Sequence, residues 1–263
     1  MTSIGYTCRM PSRTIALGER EISRVGLGTN RLTDTEENRD FLREAVASGL
    51  SFIDTAHLYT DGASESTIGA ALSPFPDDVV VATKGAYHPG GGTEGLRAEL
   101  AQSFERLRTE TIDLYYLHRV DPDISIDEWM RALKEYLDDG RIAHVGLSEV
   151  SVEQIEHARE VVPISAVQNE YGLSERKHEE VIDHCEAEGI VFVPFFPLRG
   201  DKPALGEIAE RHDATTDQIK TAWLLHRSPA MAPIPGTLSI EHLRENLAAL
   251  EIELSEAELE ALS

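Results

Sequence analysis

The chain has 263 residues, a length that suits one barrel domain spanning 1–263, and 47 acidic against 24 basic residues give a formal charge of −23. An acidic excess of that size repels a phosphate backbone and excludes nucleic acid as a partner, and the apolar runs break at charged or turn residues well short of a bilayer span. Two cysteines, Cys8 and Cys185, make neither a disulfide scaffold nor a tetrahedral metal site, and no metal is expected.

From the N-terminus, Arg9 and Arg13 are not followed by the apolar stretch of a secretory signal, so the cytoplasm is the expected location. A hairpin is predicted over Thr14 to Ile22. Apolar, β-branched runs then alternate with helical patterns. The predicted strands are Val25 to Gly28, Ser51 to Thr55, Val79 to Lys84, Ile112 to His118, Ala143 to Ser148, Ala166 to Asn169, Ile190 to Phe196 and Ala232 to Pro235. Helices are predicted near 37–48, 64–72, 94–107, 126–138, 151–160, 177–187, 216–226 and 239–249, with caps at Ser151 ahead of Glu153 and Thr216 ahead of Gln218. Short helical pieces near 204–212 and 255–262 read as additions.

Strands such as VVVAT are apolar throughout, as a parallel strand covered on both faces must be. Eight βα units without a second domain predict a closed (β/α)8 TIM barrel with an N-terminal β-hairpin and extra C-terminal helices. The competing open sheet needs a nucleotide fingerprint after its first strand, and Gly26, Leu27 and Gly28 run into Thr29 and Asn30 without completing GxGxxG. Cys185 falls in the amphipathic stretch Val181 to Glu188 and reads as structural. The spread of acidic residues over helix faces, as in Glu251, Glu253, Glu256, Glu258 and Glu260, reads as a solvated surface that suits a salt-rich, halophilic cytoplasm.

Asp54 closes SFID, Lys84 closes VVVATK and His118 closes DLYYLH, so three ionisable residues stand at the C-terminal ends of successive predicted strands. In such a barrel those ends converge on one face, where active sites are built. Tyr59 follows Asp54 on the same loop. A lone lysine or histidine in such a place is usually solvated or structural; their joint placement points to a site. A tyrosine with ordinary acidity is a slow proton donor near neutrality unless a cation assists it, and Lys84 is that cation here, with Asp54 keeping it charged. His118 orients a substrate oxygen or shares in proton relay. No protein group supplies a hydride, so a nicotinamide is inferred as its source.

The segments GLGTN, FIDTAHLYTDGASESTIGAAL, VVVATKG, TIDLYYLHRVDP, GRIAHVGLS, VQNEYG, FVPFFPL and IPGTLSIEHLRENL together resemble the aldo-keto reductases, over nearly the whole chain from Arg24 to Leu262. The resemblance implies a catalytic tetrad of Asp54, Tyr59, Lys84 and His118, and a cofactor held across the barrel mouth without a Rossmann domain. It implies cofactor contacts from Thr29, from Ser148 and Gln168 to the nicotinamide carboxamide, and from the ring of Phe195 stacked on the nicotinamide. Pro197, Leu198 and Arg199 would line the pyrophosphate, and Gly236, Thr237, Glu245 and Asn246 would meet the adenosine end. Read by themselves, Phe195 fits a core residue, Gly236 a turn, and Glu245 with Asn246 an exposed helix face.

Four positions depart from the family pattern. Glu149 stands where an asparagine is common, and Phe195 where a tyrosine stacks. Gly236 and His242 replace the lysine and arginine that grip a 2′-phosphate in many relatives, so NADPH is the family expectation and NADH stays open. The expected partner is a small carbonyl compound, with pyridoxal one candidate because DLYYLHRVDP and the segment from VQNEYG to FVPFFPL are similar to the pyridoxal reductase branch. Substrate selection is assigned to Leu58, Ala86 to Thr93, Arg119 to Asp123 and Phe195 to Pro203, on a monomer or weak oligomer. Two other readings stand beside the reductase: a Schiff-base barrel aldolase using Lys84, and a nucleotide-binding regulatory module with little turnover.

Overall fold

The computed structural model describes residues 12–263, so Cys8 lies outside the described residues. Strands β1 (Thr14–Leu17) and β2 (Arg20–Ser23) pair antiparallel, with Leu17 opposite Arg20, and form the expected hairpin. Its turn needs Gly18: φ is +59°, and a Cβ there would stand 2.1 Å from the His144 ring. Leu17 and Ile22 are fully buried and join the cluster of Phe52, Val80, Ala82, Leu114, Tyr116, Ala166 and Val191.

Seven parallel strands follow in chain order: β3 (Leu27–Gly28), β4 (Phe52–Asp54), β5 (Val80–Gly85), β6 (Ile112–Leu117), β7 (Ile142–Ser148), β8 (Ile164–Gln168) and β9 (Val191–Phe192). Each of the first six is followed by a helix that returns the chain: α1 (Glu36–Ala47), α2 (Ala63–Leu72), α3 (Gly92–Leu107), α4 (Ile126–Asp138), α5 (Val152–Arg159) and α6 (Glu179–Glu188). After β9 come α7 (Leu205–Arg211), α8 (Thr216–Arg227), α9 (Ile240–Ala248) and α10 (Glu256–Leu262). Every residue of β5 is buried, as its unbroken apolar run predicts. The apolar helix faces pack against the outside of the sheet in one continuous core that includes Trp129, Trp223, Leu100 and Ile155.

The expected eighth strand, Ala232 to Pro235, closes the ring without forming a regular ladder. Pro233 and Pro235 have no N–H to donate, so the segment mainly accepts: Gly26 N donates to Pro233 O at 2.9 Å and Gly28 N to Pro235 O at 3.4 Å. Ala232 N donates to Phe192 O at 2.8 Å on the other side, and parallel bridges join Phe192 to Met231 and Gly28 to Gly236. Ring closure thus carries the first strand against the last. Proline also shortens β9 relative to the expected Ile190 to Phe196, although Val193 N and Phe195 N still donate to Val167 O and Asn169 O.

Ser151 caps α5 as expected, with Gln154 completing a capping box, whereas the cap of α8 is Thr215, one residue before the expected Thr216, with Gln218 as its box partner. A third box, Ser255 with Glu258, starts α10. Helix α6 begins at Glu179, two residues later than expected, because Gly172 and Glu175 bridge in a turn before it. Among the described residues no helix is long and apolar enough to cross a membrane.

Arg24 fastens the closure. Its buried guanidinium donates to Met231 O at 3.1 Å, Leu225 O at 3.1 Å and Ser228 O at 2.7 Å. Burial pushes its pKa down to about 10, and three carbonyls stand in for a counter-ion. Arg24→Met therefore strands buried acceptors, and urea unfolding should show a loss of about 2–4 kcal/mol. A change within about 0.5 kcal/mol would mean that the proline segment closes the ring unaided.

Candidate active site

The parallel register brings the strand-end residues together. Asp54 pairs with Ala82 and Lys84 with Tyr116 across neighbouring strands, so Ala82 and Lys84, two residues apart, face the barrel interior from β5. Lys84 is 0% exposed and Asp54 1%. Lys84 Nζ donates to Asp54 Oδ1 at 2.6 Å, to Thr55 O at 2.7 Å and to Tyr59 Oη at 3.4 Å. The second carboxylate oxygen, Asp54 Oδ2, accepts from Gln168 Nε2 at 2.8 Å. Burial disfavours charge on both members. Asp54 and Tyr59 outweigh it at Lys84, whose pKa is raised, while for Asp54 burial pushes upward against the pull of Lys84 and Gln168.

Tyr59 opens a single 3-10 turn, Tyr59–Gly62, ahead of α2. The turn is pinned by Thr60 Oγ1 donating to Leu32 O at 2.7 Å, with Thr60 and Asp61 both at positive φ. Lys84 Nζ lies 4.9 Å from the Tyr59 ring centre, a cation against an aromatic face. His118 stands just past β6, edge-on to Tyr59 at 6.1 Å and to Tyr87 at 4.9 Å between ring centres. Burial, then the charges of Lys84, Arg119 and His88, push its pKa down to about 2. A neutral imidazole at working pH suits orientation of a substrate oxygen and disfavours the proton-relay alternative.

Asp54, Tyr59, Gln168 and His118 line a cavity of about 470 Å³ at the C-terminal end of the strands, with Lys84 buried behind Asp54 and Tyr59. Of the residues assigned to a cofactor from the sequence, Thr29, Ser148, Gln168, Phe195, Pro197, Leu198, Arg199 and Gly236 line it; Thr237, Glu245 and Asn246 do not. The hydroxyl of Thr29 is engaged by Asp54 O at 2.8 Å and Ser64 Oγ at 2.9 Å, which ties two strand ends together. Ser148 Oγ accepts from Arg119 at 3.1 Å, and Arg199 pairs with Glu170 at 2.7 Å. Asn30 and Arg31, not singled out in the sequence, also line the cavity. The signal available for them was their place directly after the first strand-end motif.

Glu149 turns away from the site. Its backbone is at φ 56°, a conformation that asparagine adopts more readily, and Oε1 accepts from Glu170 N at 2.7 Å while Oε2 lies 3.6 Å from Lys177 Nζ. Against the cost of burial, the nearby His178, the hydrogen bond from Glu170 N and the charge of Lys177 bring its pKa down to about 2. Ala86 and Phe196 are also at positive φ, so strained backbone gathers in the loops of this face.

The sequence pattern of the Aldo/keto reductase family matches residues 24–202 and 201–263. The chain is 34% identical over 280 residues to pyridoxine 4-dehydrogenase of Escherichia coli strain K12, with 96% of this chain and 98% of that protein covered. Its fold is similar to a thermostable aldo-keto reductase in complex with the inhibitor epalrestat, with TM-score 0.87, 33% identity and coverage of 95% of this chain and 98% of that one. It is also similar to an aldo-keto reductase from Klebsiella pneumoniae in complex with NADPH, with TM-score 0.85, 29% identity and coverage of 96% and 94%. The chain belongs to the aldo/keto reductase family and is an NAD(P)-dependent oxidoreductase.

Proposed function

We propose that this protein reduces aldehydes or ketones to alcohols with NADPH, and that Tyr59 donates the proton. The observation that carries the reading is the buried Lys84 ammonium placed between Asp54 Oδ1 at 2.6 Å and Tyr59 Oη at 3.4 Å, two residues that line the cavity. The residues present fit a nicotinamide nucleotide. Ser148 keeps its hydroxyl proton and Gln168 keeps Oε1 for a carboxamide, the half-buried Phe195 offers a ring face, and Arg31 has no ion-pair partner among the described residues. A reduced nicotinamide, when bound, supplies the hydride.

The protein's own work is on the oxygen. Neutral His118 and Tyr59 Oη hydrogen-bond the substrate carbonyl oxygen and set its position. As negative charge grows on that oxygen, Tyr59 passes it a proton, and Lys84 stabilises the phenolate left behind. Asp54, held by Gln168, keeps Lys84 aimed at the phenol. Pyridoxal belongs among the candidate substrates because of the likeness to pyridoxine 4-dehydrogenase. The Schiff-base reading loses support, since Lys84 Nζ is fully buried and already has three acceptors.

Tyr59→Phe should leave NADPH affinity close to native and lower kcat by about a thousandfold or more, read as NADPH oxidation at 340 nm against a panel of aldehydes. Near-native turnover would remove Tyr59 as the donor. Tight nucleotide binding with no turnover of any carbonyl by the native protein would favour the regulatory module.

His118 makes a separate prediction. Its folded pKa of about 2 lies below the unfolded value near 6.5, so below pH 6.5 the unfolded chain takes up a proton that the folded chain refuses, and stability falls as pH drops. Between pH 7 and pH 5, His118→Gln should lose about 2 kcal/mol less than the native protein in urea unfolding. Equal losses would show that His118 titrates normally in the folded state.

A further inference from the structure

Most arginines and lysines of this acidic chain are paired with carboxylates, which makes the unpaired ones informative. Arg119 is half-buried, lines the catalytic cavity, and has no carboxylate within ion-pair distance among the described residues. It is held from behind: NH1 donates to His118 O at 2.6 Å and to Ser148 Oγ at 3.1 Å, and the guanidinium carbon lies 5.3 Å from the centre of the Tyr87 ring. Its contacts are with catalytic-end residues, whereas Arg31 follows Thr29 on the first loop and Arg199 lies in the segment assigned to the pyrophosphate. Among the described residues Asp54 is the one carboxylate lining the cavity, and Lys84 neutralises it. The catalytic end therefore carries an uncompensated, partly desolvated cation beside the place where the carbonyl must sit. A cation so placed attracts an anion more strongly than one in open water.

Two aromatic side chains on the same cavity, Tyr87 and Phe196, are unusually exposed for their type, at 40% and 41%. Exposed rings at a cavity rim offer flat apolar walls.

We propose that Arg119 makes this enzyme selective for flat aromatic aldehydes and ketones that carry an anionic oxygen, a carboxylate or phenolate. The guanidinium holds the anion, and Tyr87 and Phe196 flank the ring. The inference rests on the reductase reading above and adds a substrate class to it. The anionic group takes no part in the chemistry: hydride joins the carbonyl carbon, the proton joins its oxygen, and the carboxylate or phenolate leaves unchanged.

The test compares 3- and 4-carboxybenzaldehyde with their methyl esters, which keep ring, carbonyl and shape but lose the charge. For the native protein, kcat/KM should favour the better acid over its ester by about tenfold, chiefly through KM, and the preference should shrink as salt is raised. In Arg119→Leu the ratio should fall to about one, and Arg119→Lys should recover part of it. A ratio cancels any loss common to both substrates, so general damage does not mimic the result. Native protein that reduces acid and ester equally well overturns the proposal and leaves the reductase reading intact. An Arg119→Leu variant that keeps the full preference, or that only weakens NADPH binding measured by fluorescence titration, overturns it too and assigns Arg119 to holding Ser148. No NADPH oxidation with any carbonyl would overturn both.

Discussion

The buried ion pair between Lys84 and Asp54 is the constraint around which the catalytic end of this barrel is arranged. Two full charges with 0% and 1% exposure are stable in a protein interior only if their hydrogen-bonding capacity is met. Three acceptors surround the ammonium and two donors reach the carboxylate, from β4, β5, β8 and the loop that carries Tyr59. Removing one partner of such a pair typically costs about 3–5 kcal/mol, so the arrangement is held as a unit. The third acceptor of Lys84 is the phenol oxygen, which converts a structural ion pair into a device for handling a proton.

Barrel geometry supplies the rest. Alternation along a strand sends Val80, Ala82 and Lys84 inward, so the same rule that fills the interior with apolar residues delivers a lysine at its last inward position. Closure then brings Gln168 to Asp54 across 114 residues of chain. That closure relies on a proline-bearing segment with few donors and on the buried Arg24, which links the start of the barrel to its end. The site's precision is in this sense a product of how the ring is fastened.

Much of this was legible in the amino-acid order. The apolar runs, their spacing and the three ionisable residues at strand ends sufficed for a (β/α)8 barrel and for the grouping of Asp54, Lys84 and His118, because period-two alternation and the convergence of strand ends are local rules. What was not legible depends on contacts between distant segments. Thr29, expected at the cofactor, also ties two strand ends together through Asp54 O and reaches Ser64 on α2. Glu149, standing where an asparagine is common, has a backbone conformation that points its carboxylate at Glu170 N. Thr237, Glu245 and Asn246, expected at the adenosine end, stand outside the cavity that holds the other assigned residues. The charge state of His118, set by burial and by Lys84, likewise had no signature in sequence.

If the Lys84 cation enables Tyr59 to give up its proton, turnover of Lys84→Met followed at 340 nm, alongside its affinity for NADPH, reads that dependence directly. Methionine keeps much of the side-chain volume and removes the charge. In a folded Lys84→Met protein, kcat should fall by about a hundredfold or more while nucleotide affinity stays within a few-fold of native. A variant that reduces aldehydes at near-native rates would show that the phenol needs no cation, and the arrangement described here would lose its chemical purpose.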